Sequence, residues 1–382
     1  MGASTTHVHP DSGPDGSESQ TSPPEAALGP VPAATRRGIL KGFGAAGFSV
    51  AGATLVAGCD FGGQAAASSS TAPAATTASG DGVDLSTIQK GRTIGLISLD
   101  NSAAAVAVGL QGLNAIKSQI GWTVEVVDIK GDPSAVPGAV SGLLARKAEA
   151  ILCYALPAVG LEQAVKPAVD AGVPVISLVS GRFTGASAVA DFNEWVSEAR
   201  TALYTVQRMN FEGEIALLDF TGLENTAIRS IVIRQVIARY PGIKIVEDIT
   251  VKVPGQLQDA HDRTAAFLGK HPNLKAVWAA FDDIALGAST AIKEAGRTEV
   301  FVSSVDGVPT ALQAIGNGDP LAATCYNDQP LLMKVGVSLA DRLIKGEKVP
   351  ATTVQDSPLV TADNLPSGGQ LPTGFVTPLW NG

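Results

Sequence analysis

Basic runs, ligand-spaced histidines and long apolar segments are scarce in this 382-residue sequence, and each absence removes a class of function. Lys and Arg number 27 against 36 Asp and Glu, a net charge of −9, and the pI is near 5.0. No cationic run is available to neutralise phosphates, so a nucleic-acid partner is not expected. The four histidines, His7, His9, His261 and His271, have no ligand spacing with the three cysteines, so neither a metal site nor a cofactor is expected. There is no G-x-S-x-G, no P-loop and no nucleophile–histidine pairing, and no catalytic residue is assigned. Asp219, Asp282, Asp283 and Asp306 could suggest a carboxylate pair for glycoside hydrolysis. Acids at strand ends serve more often as turn caps and hydrogen-bond acceptors, and the chain is not read as an enzyme.

The hydrophobic content of 45% and the 42 glycines fit an α/β protein with many tight turns, long enough for one or two sizeable cores. Residues 1–34 are rich in Pro, Ser, Gly and Asp and could not build a core. Thr35-Arg36-Arg37-Gly38-Ile39-Leu40-Lys41 follows, then a mildly apolar segment, Gly42 to Ala57, too short and too diluted by glycine and serine to span a membrane well. It ends Val56-Ala57-Gly58-Cys59. The pair Arg36-Arg37 in this setting resembles a twin-arginine export signal. The ending at Cys59 resembles a lipobox, whose cysteine sulfur receives a diacylglyceryl group. Two acyl chains are enough for stable anchoring, which places the folded part outside the cell membrane. Residues 1–59 are thus an export signal and 60–87 a flexible Ala/Ser/Thr tether. Cys153 and Cys325 remain and are expected to be small buried residues rather than a disulfide, because export follows folding in a reducing cytoplasm.

Beyond the tether the chain is organised around Ala276 to Gly307, AVWAAFDDIALGASTAIKEAGRTEVFVSSVDG. A buried strand runs to Ala280 and is broken by Phe281-Asp282-Asp283. A helix carries Ile284, Ala288, Ala291, Ile292 and Ala295 on one face, and a second strand stops at Asp306-Gly307. The same alternation begins at Thr93 (TIGLIS) and continues through Thr123–Asp128, Ala150–Tyr154 and Val173–Leu178. It restarts at Glu214–Asp219 and Lys244–Val251. The pattern predicts an α/β protein of two doubly wound, Rossmann-like lobes. The first comprises 88–190 with 327–352, the second 191–326 with 353–382.

The ALGA and VDG signatures, following strands into an aromatic-Asp pair and into Asp-Gly, resemble the type I solute-binding proteins, the ribose- and galactose-binding relatives that feed ABC importers. The likeness runs from about Thr93 to about Pro350. It implies a cleft between lobes joined by three crossing hinge segments, near Ala188–Asp191, Ala323–Tyr326 and Thr353–Leu359. Open α/β sheets bind ligands at the carboxyl ends of their strands. That edge comprises the loops Leu99–Ser102, Tyr154–Pro157, Val179–Phe183, Phe220–Asn225, Phe281–Asp282 and Asp306–Gly307. The resemblance makes Asp306 and Asn327 ligand hydrogen-bonders and Arg229 a ligand-binding arginine. Arg182 lies near a second family arginine, shifted by about two residues. Phe281 stands where ribose binders usually carry asparagine, as a stacking platform or lobe packing. Asp282, Asp191 and Asn101 complete the candidate set, with Trp195 and Tyr326 as substitutes for missing aromatics. The first loop lacks the aromatic pair of the ribose binders, and Tyr154–Pro157 lacks their asparagine. The implied function is a monomeric, lipid-anchored, extracytoplasmic binding protein that captures a sugar and delivers it to an ABC permease. A ligand sensor of the same fold signalling to a membrane receptor, or an importer component for a non-sugar such as a nucleoside, shares the same chemistry.

Overall fold

The computed structural model describes residues 83–366, 368–371 and 379–381. The export signal with Arg36, Arg37 and Cys59, and the tether as far as residue 82, lie outside the described residues. The end of the expected tether is already folded: Asp84 caps a 3-10 turn, Leu85–Thr87, and Val83 and Leu85 pack on the first core.

The first lobe begins β1 (Thr93–Ser98), α1 (Ala104–Ile120), β2 (Thr123–Asp128), α2 (Val136–Ala145), β3 (Ile151–Tyr154) and α3 (Leu161–Asp170). It continues with β4 (Val175–Leu178) and β5 (Ala188–Phe192). Period-two alternation sends Ile94 and Leu96 to one face of β1 and Ile97 to the other. Both faces are therefore covered by helices, as a parallel sheet requires.

The second lobe comprises α4 (Glu194–Arg208), β6 (Gly213–Asp219), α5 (Glu224–Ile237), β7 (Ile243–Thr250), α6 (Gln256–Leu268) and β8 (Leu274–Ala279). It adds α7 (Asp282–Glu294), β9 (Phe301–Asp306), α8 (Pro309–Gly316) and β10 (Leu321–Tyr326). Trp278 of β8 is fully buried, and its indole N–H donates to Glu198 Oε1 of α4 at 2.8 Å. The chain then returns through α9 (Gln329–Ile344), which packs in the first core, and ends in β11 (Thr352–Gln355), β12 (Leu359–Thr361) and β13 (Leu379–Asn381).

The strand orders are β13-β11-β5-β4-β3-β1-β2 and β12-β10-β9-β8-β6-β7, parallel but for the antiparallel edge strands β13 and β12. Two of the stretches expected to cross between lobes are strands instead. Ala188–Phe192 pairs with β4 and Leu321–Tyr326 with β9, because buried backbone needs ladder partners. The chain passes between the sheets just after them, at Asn193 and at Asn327-Asp328, and a third time between Gln355 and Leu359. Residues 353–382 do not belong to the second lobe as a block, since β11 and β13 both sit in the first sheet. Between β12 and β13, Leu365 is part of the second core and Leu371 packs against it. The described chain thus returns once more to the first lobe at Leu379. Cys153 and Cys325 are free and buried, one in each sheet, and burial pushes both thiols up to about 12.

Gly287 lets α7 lie against α6: a Cβ there would fall 2.2 Å from the Leu257 carbonyl oxygen. Gly287→Ala is expected to lower the urea-unfolding free energy by about 1–3 kcal/mol. Gly138→Ala in α2, where an added Cβ meets nothing within 4 Å, is expected to raise it by about 0.5–1 kcal/mol.

Candidate functional site

The loops leaving the carboxyl ends of the two sheets face one another across a closed cleft. The Ala104 N–H of the first lobe donates to Asp283 Oδ2 of the second at 3.1 Å. Glu224 lies directly against Gly181, where the nearest carboxylate oxygen is 1.7 Å from the position a Cβ would take. Leu223 packs on the first-lobe cores, and Ala104 and Ala105 on the second-lobe core. Between these contacts lies a cavity of about 80 Å³. On the scale in which one water takes about 10–15 Å³, it holds roughly five to eight waters, the displacement of a pentose- to hexose-sized molecule.

All six loops expected at this edge contribute: Leu99, Tyr154, Val179, Phe220, Phe281 and Asp306 are among the lining residues. The wall is largely apolar, and Phe220 meets Phe281 edge-to-face with centroids 6.1 Å apart. Tyr154, 1% exposed, donates its hydroxyl to Gln329 Oε1 at 2.8 Å, and both line the cavity.

The charged floor belongs to the second lobe. Arg229, 1% exposed, sits on the second turn of α5. Its Nε and one terminal nitrogen grip Glu194 at 2.7 and 2.8 Å; the same nitrogen reaches Asp306 Oδ1 at 2.9 Å, and the other donates to the Ala280 carbonyl at 2.9 Å. Burial opposes the guanidinium charge, but Glu194 and Asp306 hold its pKa above the ordinary value. Asp306 is itself pushed up, by burial against the pull of Arg229. Its backbone is strained, with φ of 136° in a region that favours glycine, at a cost of about 1–3 kcal/mol. The geometry is secured by the Asn327 N–H donating to the Asp306 carbonyl at 3.0 Å and by the Asn327 side-chain amide reaching Oδ1 at 3.3 Å.

Asp306, Arg229 and Phe281 therefore meet in one cavity. The other candidates stand off its wall. Asn327 sits behind Asp306 and accepts from the Ser357 hydroxyl. Asp282 turns inward and takes the Thr324 hydroxyl and the Val308 N–H, both at 2.8 Å, while Asp283 faces the cavity. Consecutive residues of a helix point about 100° apart, so only one of the pair can do so. Asn101 accepts from the Ser98 hydroxyl, and Asp100 takes the wall position. Arg182 is exposed and donates to the Ala351 carbonyl; it lines a separate groove at the hinge with Asp191 and Trp195. Tyr326 borders an adjoining opening.

Three buried atoms on the cavity wall find no partner among the described residues: Asp100 Oδ2, Asn225 Oδ1 and Gln256 Oε1. Sequence reasoning did not single these residues out as ligand contacts. Asp100 and Asn225 fall inside loops placed at the cleft. Gln256, at the start of α6, has no local signal and is brought there by the turn after β7.

In the hinge groove, Asp191 is pushed up to about 7 by burial and by Glu194 and Glu224, against the Phe192 N–H and Arg229. The folded chain therefore keeps a proton that the unfolded chain releases near pH 4, and stability from this group is lost as pH rises from about 4 through 7. Urea unfolding across that range is expected to show Asp191→Asn gaining on the wild type with rising pH and levelling above about pH 8. Parallel curves would remove the assignment.

Residues 94–348 match the family described as periplasmic binding protein domain. The chain is 28% identical over 237 residues to the xylitol-binding protein of Mycolicibacterium smegmatis, covering 61% of this chain and 67% of that one. It is 27% identical over 246 residues to the ribose import binding protein of Escherichia coli, covering 63% and 81%. A solved ABC transporter solute binding protein from Agrobacterium vitis, with bound allitol, matches with a TM-score of 0.68 at 26% identity, over 72% of this chain and 97% of that one. Two parallel-sheet lobes closing on a shared cavity and a match across most of both lobes lead to one conclusion: this chain belongs to the periplasmic binding protein domain family, in its two-lobed type I form.

Proposed function

We propose that this protein is a lipid-anchored, extracytoplasmic solute-binding protein that captures a small polyhydroxylated molecule, a sugar or sugar alcohol, and delivers it to an ABC permease. The observation that carries this reading is the closed interlobe cavity, with buried, unpartnered oxygen atoms of Asp100, Asn225 and Gln256 on an otherwise largely apolar wall. Leaving such atoms without partners is costly, and hydroxyl groups supply the missing donors. The faces of Phe220, Phe281 and Tyr154 offer apolar surface for the C–H side of a polyol. The relatives support the class, since their names specify xylitol, ribose and allitol. Asp306 and Arg229 anchor the ligand from the second lobe, and Asp100 and Tyr154 meet it from the first.

Ligand that touches both lobes binds the closed form better than the open one and shifts the equilibrium toward closure. The permease then reads the closed arrangement of the two rims. No residue is assigned a catalytic role. Arg36-Arg37 directs export by the twin-arginine route, and Cys59 carries the lipid.

Ligand that binds only the folded state must raise the unfolding midpoint. A thermal-shift screen of residues 84–382 against pentoses, hexoses, alditols and their amino derivatives is expected to give a rise of several degrees at about 100-fold excess over Kd. Asp306→Asn should abolish it. Hits confined to nucleosides or amino acids would keep the fold and overturn the ligand class. Separately, Cys59→Ala in the full chain is expected to move the protein from the membrane fraction to the soluble fraction. Retention in the membrane would count against the lipid anchor.

A further inference from the structure

The cavity wall carries buried hydrogen-bond acceptors that lack donors. Asp100, 7% exposed, uses Oδ1 to accept the Ser102 N–H at 2.9 Å and the Ser102 hydroxyl at 2.7 Å, and its Oδ2 has no partner. Asp283 lines the same cavity from the second lobe. Its Oδ2 accepts the Ala104 N–H and, at 3.0 Å, the Gln256 side-chain amide. A carboxylate only accepts, so the NH₂ of Gln256 must be the group turned toward Asp283. The Gln256 carbonyl oxygen is thereby left buried and unpartnered on the cavity wall.

The charges of these two carboxylates are unbalanced as well. Neither Asp100 nor Asp283 forms an ion pair among the described residues, and no lysine or histidine lines the cavity. Arg229, the one cation on the wall among the described residues, already grips Glu194 with two nitrogens and Asp306 with one of them. A buried carboxylate without a cation is costly, and the cost is removed when the missing charge arrives with a ligand. A neutral hydroxyl brings one donor, one unneeded acceptor and no charge. An ammonium brings three donors, no acceptor and a positive charge. Its hydrogen bonds to carboxylates are the charge-assisted kind.

We propose that the natural ligand carries a protonated amine, seated between Asp100, Asp283 and the Gln256 carbonyl oxygen, on a small polyhydroxylated frame: an amino sugar or aminoalditol. This rests on the polyol-binding reading and narrows it. The hydroxyls of the frame meet Asp306 and Arg229 on the same cavity wall.

The test is calorimetric titration of the full chain with matched pairs differing only in a hydroxyl or amine. The pairs are xylitol and 1-amino-1-deoxyxylitol, sorbitol and D-glucamine, glucose and glucosamine, and galactose and galactosamine, at pH 7. In at least one pair the amine is expected to bind at least about tenfold tighter. Asp100→Asn, and separately Asp283→Asn, should each cut that ratio to within about twofold. Circular dichroism of the unliganded variants shows that each is folded. Neutral members that bind as tightly as their amines, or more tightly, overturn the amine assignment and leave the polyol reading standing. An amine preference that survives both substitutions overturns the seat assigned to it. Failure of every member of the panel to bind overturns the polyol reading and the amine with it.

Discussion

The guanidinium of Arg229 is the charge around which the second lobe's side of the cleft is assembled. It reaches α4 through Glu194, the end of β8 through the Ala280 carbonyl and the end of β9 through Asp306. Three segments distant in sequence are thereby held at one point beneath the cavity. The net contribution of such a buried pair to stability is small, because desolvation offsets most of the attraction. Its removal is another matter: Glu194 and Asp306 would be left buried and unmatched, a loss of about 3–5 kcal/mol. The arrangement specifies where Asp306 stands more than it adds to stability, and the strained backbone of Asp306 persists because its surroundings over-determine it.

The two lobes face the cavity with different chemistry. The second contributes Asn225, Arg229, Gln256, Asp283 and Asp306; the first contributes mainly small apolar side chains with Asp100, Tyr154 and Gln329. Closure brings Asp283 onto the Ala104 N–H and Glu224 against Gly181. Few direct polar contacts latch the lobes among the described residues, so under the proposed function a bridging ligand would have a large share in setting the balance between open and closed forms. At the hinge, Glu194 and Glu224 lie close enough to Asp191 to help raise its pKa.

The architecture was legible because each lobe repeats a local unit. Buried runs such as Ala276–Ala280 and Val300–Val305 read as strands, and the helix between them shows its own period. The crossings were less legible. Ala188–Phe192 and Leu321–Tyr326 are apolar segments next to a predicted hinge, and only their pairing with β4 and β9 shows that they are strands. The return of β13 to the first sheet had no signal, since three residues at the end of a chain carry no period.

The sequence by itself determined the two-lobed α/β fold and the sheet edge whose loops meet at the cavity, while the family resemblance put forward Asp306, Arg229 and Phe281, which line that one cavity. The fold and the edge follow from strand ends and from local pattern, which are properties of neighbouring residues; the residues follow from the resemblance. Only the tertiary structure decided between adjacent residues, Asp100 over Asn101 and Asp283 over Asp282, because which side chain faces a cavity depends on the rotation of the element that carries it. Only the tertiary structure brought Gln256 to the wall and set Arg182 and Asp191 in a separate groove. These outcomes depend on how two lobes meet, and no stretch of sequence records the position of a surface contributed by another.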